Sequence, residues 1–260
     1  MAEAASSSFR RDFKNLRHLV GAAIHRYSLI EDGDIILAGV SGGKDSLLML
    51  RFLADLKKRA PVSFKLGAVH LGNGAGNLKP WFKTMALDFY EFLPAPYIAE
   101  LDNYVAGGPS PCFSCSRVRR NALFEMAGKC GATSLALGHH LDDARETFLL
   151  NVFFSGNIDG LLPRQDLFEG RLKLIRPLFL VPENLIRKMA EAWQLPVMSS
   201  GCPADGHTTR QEMKNLIAAL ARKNPKVTGN LTAVVEAAAL NFKGPFKEPE
   251  VRSVHPEERR

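Results

Sequence analysis

The sequence has few of the residues that stabilise secreted proteins and none of the long apolar runs of membrane proteins. Its 260 residues include only four cysteines, two tryptophans and four tyrosines. No apolar run reaches the roughly 18–20 residues that cross a bilayer, and the first residues lack the apolar core of a secretory signal. We therefore expect a cytoplasmic protein with no membrane partner. In that reducing compartment, paired cysteines more often serve metal or redox chemistry than structural disulfides.

Positive charge is what the sequence has in excess. Lysine and arginine number 34 against 27 acidic residues, which gives a formal net charge of +7. A basic balance suits a polyanionic partner such as nucleic acid, although a solvated basic surface explains the same numbers. Residues 9–30 form a predicted amphipathic helix. Its polar side carries Arg10, Arg11, Lys14, Arg17 and His18.

Short apolar segments alternate with helical patterns along the chain. Strands are predicted at 34–40, 64–71, 96–101, 134–140 and 171–178. Helices are predicted at 9–30, 46–60, 79–92, 117–131, 142–154, 182–194, 208–223 and 230–240. This alternation predicts an α/β fold with a parallel, doubly wound sheet and flanking N- and C-terminal helices. Ligands of such sheets bind outside the carboxyl ends of the strands.

The same pattern divides the chain into four parts. A basic helix at 1–30 precedes a nucleotide-binding domain at 31–205, which includes the loops that carry cysteine. Helices at 206–242 follow, and the charged, proline-rich tail at 243–260 is predicted to be disordered.

A glycine-rich loop, "SGGKDS", follows the first predicted strand and precedes a helix. Two glycines let backbone N–H groups approach a phosphate, and the start of the helix adds its positive end. The loop is not a Walker A motif, because Ala38 replaces a required glycine and Asp45 replaces Ser or Thr. A plain tight turn is the alternative. The candidate nucleotide-binding residues are Ser41, Gly42, Gly43, Lys44, Asp45 and Ser46.

A second polar cluster, "GHHLDD", follows the strand predicted at 134–140. Carboxylates at such a boundary can hold Mg²⁺ against phosphates or move a proton. A helix N-cap is the alternative for one of the two aspartates. We predict Asp142, Asp143 and Lys44 as catalytic candidates. His139 and His140 are predicted to contact the nucleotide.

Three of the four cysteines stand in sequence that suits a metal. Cys112 and Cys115 form a C-x-x-C pair, and Cys202 lies much later in a Gly/Pro-bounded segment. A second C-x-x-C is absent, so the usual four-cysteine zinc spacing is missing. Three thiolates with His207 would suit zinc, and three thiolates alone would suit a [4Fe–4S] cluster with one open iron. Spacing does not choose between them. Cys130 is interpreted as a small buried residue.

These motifs, taken in order, resemble a known enzyme family. "SGGKDS" resembles the PP-loop of the N-type ATP pyrophosphatases, which have an adenine nucleotide alpha-hydrolase-like fold. "CFSCSRVRR", "ALGHHLDD", "IRPL" at 175–178 and Cys202 follow in the order of the tRNA 2-thiocytidine synthetase (TtcA-like) family. The resemblance runs from about Phe9 to about Phe242. It departs at 70–77, "HLGNGAGN", where the family carries an Asp-bearing segment, and in having one cysteine near the last loop where the family tends to have two.

The resemblance implies ATP-dependent tRNA thiolation. The C2 oxygen of a pyrimidine, cytidine 32, would be adenylated and then replaced by sulfur, with ATP converted to AMP and pyrophosphate. It implies ATP, Mg²⁺ and a [4Fe–4S] cluster held by Cys112, Cys115 and Cys202. It also implies tRNA and a cysteine desulfurase or other sulfur donor as partners, and it allows a homodimer.

Three arginines follow the thiol pair. Next to thiolates they would lower thiol pKa values, offset the charge of a bound cluster and contact tRNA phosphates. A solvated helix face is the alternative for each one. The RNA-binding candidates are Arg117, Arg119 and Arg120.

Other functions fit part of the same pattern. A lysidine-synthetase-like tRNA ligase would attach an amine and would not need the three cysteines. A thiolase could act on another tRNA base. A zinc-stabilised nucleotide- or RNA-binding protein would bind ATP without releasing pyrophosphate.

Overall fold

The computed structural model describes residues 7–71, 78–85, 87–92, 111–198 and 209–241. The helices are α1 (Ser7–Arg26), α2 (Lys44–Lys57), α3 (Lys79–Thr84), α4 (Pro111–Lys129), α5 (Leu141–Leu150), α6 (Glu183–Ala192), α7 (Thr209–Lys223) and α8 (Lys226–Asn241). A π-helical turn, Asn151–Ser155, extends α5. The strands are β1 (Ile35–Gly39), β2 (Lys65–Leu71), β3 (Asp88–Phe92), β4 (Ser134–Ala136), β5 (Arg164–Leu167) and β6 (Leu172–Ile175). Within these ranges, no helix could cross a membrane.

The strands form one six-stranded sheet in the order β3-β2-β1-β4-β6-β5. All neighbours pair in parallel except β5, which runs antiparallel to β6 at one edge. The predicted parallel, doubly wound α/β fold is confirmed. The strand order reverses at β1, since β2 and β3 lie to one side of it and β4 and β6 to the other. Such a switch point opens a crevice outside the carboxyl ends of the two central strands.

Both faces of the sheet are buried. Ile36 and Ala38 of β1 belong to one core with α1, α2 and α6, whereas Leu37 between them belongs to a second core with α4. This alternation follows from the two-residue period of a strand. Because both faces are covered, the strands are nearly continuous apolar runs, which is why they stand out in the sequence.

The helix predicted at 79–92 is wrong in its second half. Helix α3 ends at Thr84, and Asp88–Phe92 forms β3, which pairs with β2. Its sequence, "DFYEF", is rich in aromatic residues, which fit a paired strand better than a helix. The strand predicted at 96–101 lies outside the described residues. Strand β5 was not predicted, because in "RQDL" only the final leucine is buried.

Helix α4 begins before the position that the sequence predicts. It starts at Pro111, where proline is favoured because the first helical N–H needs no partner. The backbone of Cys112 and Cys115 therefore lies within the first turns of α4. Cys130, just after α4, is half-buried against the second core.

The terminal helices pack on the α/β core. Helix α1 buries Leu16, Val20 and Ala23, and its predicted basic side is exposed. Helices α7 and α8 pack on α5 and on each other. The four-part division of the chain stays a prediction, and the tail at 243–260 lies outside the described residues.

Candidate functional site

A cleft of about 340 Å³ lies at the switch point of the sheet. That volume is within the range of small-molecule sites. Four segments far apart in sequence line it: the glycine-rich loop after β1, the end of β2, helix α4, and the histidine–aspartate loop after β4. The polar lining residues are Ser41, Asp45, Ser46, Ser116, Arg119, Arg120, His139 and Asp143. The fold thus brings seven of the candidate residues together in one cleft: Ser41, Asp45, Ser46, Arg119, Arg120, His139 and Asp143.

Two serines close the glycine-rich loop on itself. Ser46 Oγ accepts a hydrogen bond from the Ser41 N–H (3.1 Å) and donates one to the Gly43 carbonyl (3.0 Å). The Gly43 N–H donates to Ser41 Oγ (3.3 Å). These bonds hold the loop in a tight turn at the N-terminus of α2. A turn of this kind directs backbone N–H groups and the helix dipole toward an anion.

Gly42 has two reasons to be glycine. Its φ of +88° lies in the left-handed region. A Cβ there would also lie 2.9 Å from Met198 Sδ, and the Met198 N–H donates to the Gly42 carbonyl (3.0 Å). The chain that leads toward Cys202 therefore packs directly on the loop.

Gly138 sets the distance between the two polar loops. A Cβ on Gly138 would lie 2.8 Å from the backbone nitrogen of Ser46 and 2.9 Å from its Cα. Those atoms belong to helix α2 and cannot move aside. Only glycine allows the loop after β4 to lie against the start of α2, and this contact places His139 and Asp143 beside the glycine-rich loop.

His140 and Asp143 cap helix α5 reciprocally. The Asp143 N–H donates to His140 Nδ1 (3.4 Å), and the His140 N–H donates to Asp143 Oδ2 (2.9 Å). His140 is buried, with Nε2 3.7 Å from Asp45 Oδ1. The residue at the N-cap is thus a histidine, and the aspartate completes the box three positions later. Asp143 still lines the cleft.

Asp142 has both carboxylate oxygens engaged. Oδ1 accepts a hydrogen bond from Arg145 (2.8 Å), and Oδ2 accepts one from the Glu183 N–H at the start of α6 (2.7 Å). Arg145 is buried and donates to Thr232 of α8. Among the described residues that line the cleft, Asp142 is absent. Its contacts join α5, α6 and α8, whereas Asp143 faces the cleft.

His139 is neutral at physiological pH. Burial and the nearby Arg176 guanidinium lower the pKa of His139 to about 3. Its Nδ1 is buried and has no hydrogen-bond partner among the described residues. Arg176 follows β6 and donates to the Leu162 carbonyl and to Gln165 Oε1 (3.0 Å). A neutral imidazole has one donor and one acceptor nitrogen, and His139 lines the cleft.

Glu146 is a buried acid one helical turn after Asp142 and Asp143. Burial, and next the Asp143 carboxylate, raise the pKa of Glu146 to about 7. Arg210 of α7 lies beside it, with Nε 3.8 Å from Glu146 Oε2. The pair is too long for a strong hydrogen bond, so the arginine only partly offsets the cost of burying the charge.

Glu146→Gln is expected to stabilise the protein at pH 8 and not at pH 4.5. Because the folded-state pKa is raised, the folded protein loses stability as pH rises from the unfolded value near 4.5 to about 7. A shift of that size corresponds to about 3 kcal/mol at most. Urea unfolding of both proteins between pH 4.5 and 8 measures the difference. A stability gap that does not change with pH would contradict the assignment.

Lys44 is held by two carboxylates. Its Nζ lies 3.1 Å from Asp45 Oδ1 and 3.0 Å from Glu183 Oε1. Lys214 of α7 lies 2.6 Å from the other Glu183 oxygen. Glu183 does not stand out in the sequence, because a glutamate after a proline is an ordinary first-turn residue of a helix. Lys44 is absent from the described residues that line the cleft.

The structure describes the arginine candidates and leaves part of the proposed metal site outside the described residues. Arg119 and Arg120 are exposed on α4 and line the cleft, whereas Arg117 is exposed without lining it. Cys202 and the alternative ligand His207 lie outside the described residues.

Comparison with known proteins decides the family. A family model described as a PP-loop domain matches residues 114–219. A tRNA-cytidine(32) 2-sulfurtransferase of Polynucleobacter asymbioticus is 36% identical over 230 residues, which cover 84% of this chain and 74% of the relative. The enzyme of the same name from Geobacter sulfurreducens is 38% identical over 84% of this chain and 88% of its own. The chain belongs to the tRNA-cytidine(32) 2-sulfurtransferase family.

The fold agrees with this membership. The U34-tRNA thiolase NcsA from Methanococcus maripaludis, solved with its [4Fe–4S] cluster, superposes with a TM-score of 0.74 at 23% identity. The match covers 91% of this chain and 81% of that one. The predicted family of tRNA sulfurtransferases and the predicted adenine nucleotide alpha-hydrolase-like fold are both confirmed. The roles of individual site residues stay predictions.

Proposed function

We propose that this protein is an ATP-dependent tRNA thiolase that replaces the C2 oxygen of a pyrimidine, cytidine 32, with sulfur. The observation that carries the proposal is the cleft itself, in a chain of this family. The glycine-rich loop, the histidine–aspartate loop and the arginines of α4 all line it. Residues suited to a phosphate, to a cation and to a polyanion therefore converge on one space.

The loop after β1 fits the triphosphate of ATP. Its backbone N–H groups and the N-terminus of α2 supply positive potential, and Ser41 adds a hydroxyl at the mouth of the cleft. Asp45 and Asp143 both line the cleft. Two carboxylates near phosphates suit Mg²⁺, which takes one or two protein carboxylates and completes its shell with phosphate oxygens and water.

The reaction balances without a change of oxidation state. The C2 oxygen of the pyrimidine attacks the α-phosphate of ATP, a P–O bond forms, and pyrophosphate leaves with the electron pair of the broken P–O bond. A sulfide-level sulfur then attacks C2. The C–O bond breaks, and AMP leaves with that oxygen and its electron pair, while the sulfur gives up its proton. Holding the reacting atoms in line is the main contribution that the protein can make to such steps.

The residues of this chain have defined tasks in these steps. The glycine-rich loop would hold the leaving pyrophosphate, and the neutral His139 can bond to an adenylate or base atom in the cleft. Arg119 and Arg120 line the same cleft and are exposed. Their charges would neutralise tRNA phosphates as the nucleotide enters, which predicts tRNA binding that weakens steeply with salt.

The described part of the chain fits a cluster at the same edge of the sheet. The backbone of Cys112 and Cys115 opens α4, whose Ser116 already lines the cleft. Met198 packs on Gly42, and the four residues from Met198 to Cys202 span at most about 14 Å. We propose Cys112, Cys115 and Cys202 as the ligands of a [4Fe–4S] cluster. Such a cluster, when bound, would supply an open iron that carries sulfur.

Several parts of the proposal rest on the resemblance. A cysteine desulfurase or another sulfur donor would load the sulfur, and a homodimer is compatible with it. The tRNA substrate supports a cytoplasmic location.

The direct test is thiolation of a defined tRNA. Protein purified without oxygen would be incubated with ATP, Mg²⁺, sulfide and a tRNA transcript that carries cytidine 32. Digestion and mass spectrometry should then detect 2-thiocytidine, together with one pyrophosphate per modified tRNA. A transcript with another base at position 32 is the matched control and should remain unmodified.

Two results would overturn the proposal in different ways. Pyrophosphate release with incorporation of an amine in place of sulfur would indicate a ligase. ATP binding without tRNA-dependent pyrophosphate release would indicate a binding protein.

A further inference from the structure

Glu183 lies at the centre of a chain of charges that connects the glycine-rich loop to helix α7. One of its carboxylate oxygens is 3.0 Å from Lys44 Nζ, and the other is 2.6 Å from Lys214 Nζ. Its backbone N–H is held by Asp142 (2.7 Å), which fixes the start of α6. The carboxylate is therefore anchored from its own main chain and from two other helices.

The surroundings of Glu183 and Lys44 keep both side chains charged. Burial raises the pKa of Glu183, but hydrogen bonds from Lys214 and Lys44 outweigh it and lower that pKa to about 2. Burial lowers the pKa of Lys44, but Asp45 and Glu183 outweigh that effect and raise it. Both ions are thus charged at any pH at which the protein would work, and their attraction is permanent.

The geometry of the Lys44 ammonium group indicates what its attraction to Asp45 and Glu183 could do. A lysine ammonium has three N–H donors and no acceptor. Asp45 and Glu183 can each take one of them, which leaves one donor whose direction is set by the two anchors. A lysine side chain that is free in solution samples many rotamers, and ordering it on binding costs entropy. Two carboxylates that order it in advance remove that cost.

We propose that Glu183 is a positioning residue for ATP binding. Lys44 begins α2 beside the cleft without lining it. Glu183 holds the third N–H of Lys44 available to phosphates that reach the start of α2, and this presentation depends on Lys214 of α7. The inference rests on the proposed function, because it assumes that ATP binds at the glycine-rich loop. It assigns a role to a residue outside every motif of the sequence. It also makes α7, which follows the segment that contains Cys202, part of the nucleotide site.

The test is a double-mutant cycle on nucleotide affinity. The probe is an α,β-methylene analogue of ATP with Mg²⁺, measured by calorimetry without tRNA. Glu183→Ala should raise Kd about five- to tenfold, since an ordered half-buried lysine is worth about 1–1.4 kcal/mol. In a Lys44→Met background the same change should alter Kd by less than about twofold, because the lysine on which Glu183 acts is gone.

A matched control separates positioning from charge and folding. Glu191 lies on the same helix and is exposed, so Glu191→Ala should leave Kd unchanged.

Lys214→Met removes only the lysine that holds the other oxygen of Glu183. It should weaken binding about threefold, again only when Lys44 is present. It supplies the same cycle if Glu183→Ala does not fold.

Three outcomes would overturn the inference. Equal or tighter binding by Glu183→Ala would mean that Glu183 competes with the phosphates for Lys44. An undiminished effect in the Lys44→Met background would mean that Glu183 acts through folding alone. Failure of the unmodified protein to bind the analogue would remove the proposed function as well, whereas the first two outcomes leave that function intact.

Discussion

Cys112→Ala is expected to abolish tRNA thiolation, with a loss of at least about a hundredfold, while ATP affinity stays within about twofold of the unmodified protein. Losing one of three thiolates would leave the proposed cluster without a full ligand set. The glycine-rich loop is held by its own serines and by Gly138, so the nucleotide site does not need this cysteine. Iron and sulfide assays, the absorption spectrum and 2-thiocytidine formation measure cluster content and thiolation, and calorimetry with the α,β-methylene analogue of ATP measures the nucleotide affinity.

Cys130→Ala is the control for this experiment. Cys130 is the one cysteine that the structure describes in full, and it is half-buried against the second core. Its removal should leave iron content and thiolation unchanged. Full thiolation by the Cys112→Ala protein would eliminate the cluster as sulfur carrier. One zinc per chain in the unmodified protein would do the same.

Gly138→Val is expected to reduce tRNA-dependent pyrophosphate release at least about a hundredfold, because small displacements at a reacting centre cost that much. Any Cβ at this position meets the Ser46 backbone at 2.8–2.9 Å. The loop after β4 would have to move away from α2, and His139 and Asp143 would move with it. Pyrophosphate release, measured below the melting temperature of the variant, reports the loss.

Gly128→Ala provides the matched comparison. Gly128 lies in α4, where a Cβ would meet no atom within 4 Å. Alanine there should keep full activity and should stabilise the helix by about 0.5–1 kcal/mol. A Gly138→Val protein that releases pyrophosphate at the normal rate would show that the two loops do not form one nucleotide site.

Part of this architecture can be predicted from the sequence because it depends on local patterns. Strands buried on both faces are apolar runs, so β1, β2, β4 and β6 were found. The motif "SGGKDS" needs only its neighbours to form a turn at a helix start, and "GHHLDD" likewise marks a strand end. Since parallel strands end at one edge, the meeting of these two motifs was also predictable.

Local patterns failed where pairing partners decide the outcome. The segment "DFYEF" is a strand because β2 offers it a free edge, and "RQDL" is a strand because β6 does. Neither has an apolar period of its own. The roles within "GHHLDD" were open for the same reason. Asp142 and Asp143 are adjacent, but one meets the start of α6 and the other faces the cleft.

The sequence by itself therefore determined the fold class, the family and the two loops of the site. The fold class and the loops depend on patterns of residues that are near one another in the chain, and the family depends on the order of the motifs along it. Only the tertiary structure decided which carboxylate faces the cleft, why residue 138 must be glycine, and that Glu183 and Lys214 hold Lys44. Those contacts join residues more than thirty positions apart. Their energies depend on distances and burial that no local pattern records.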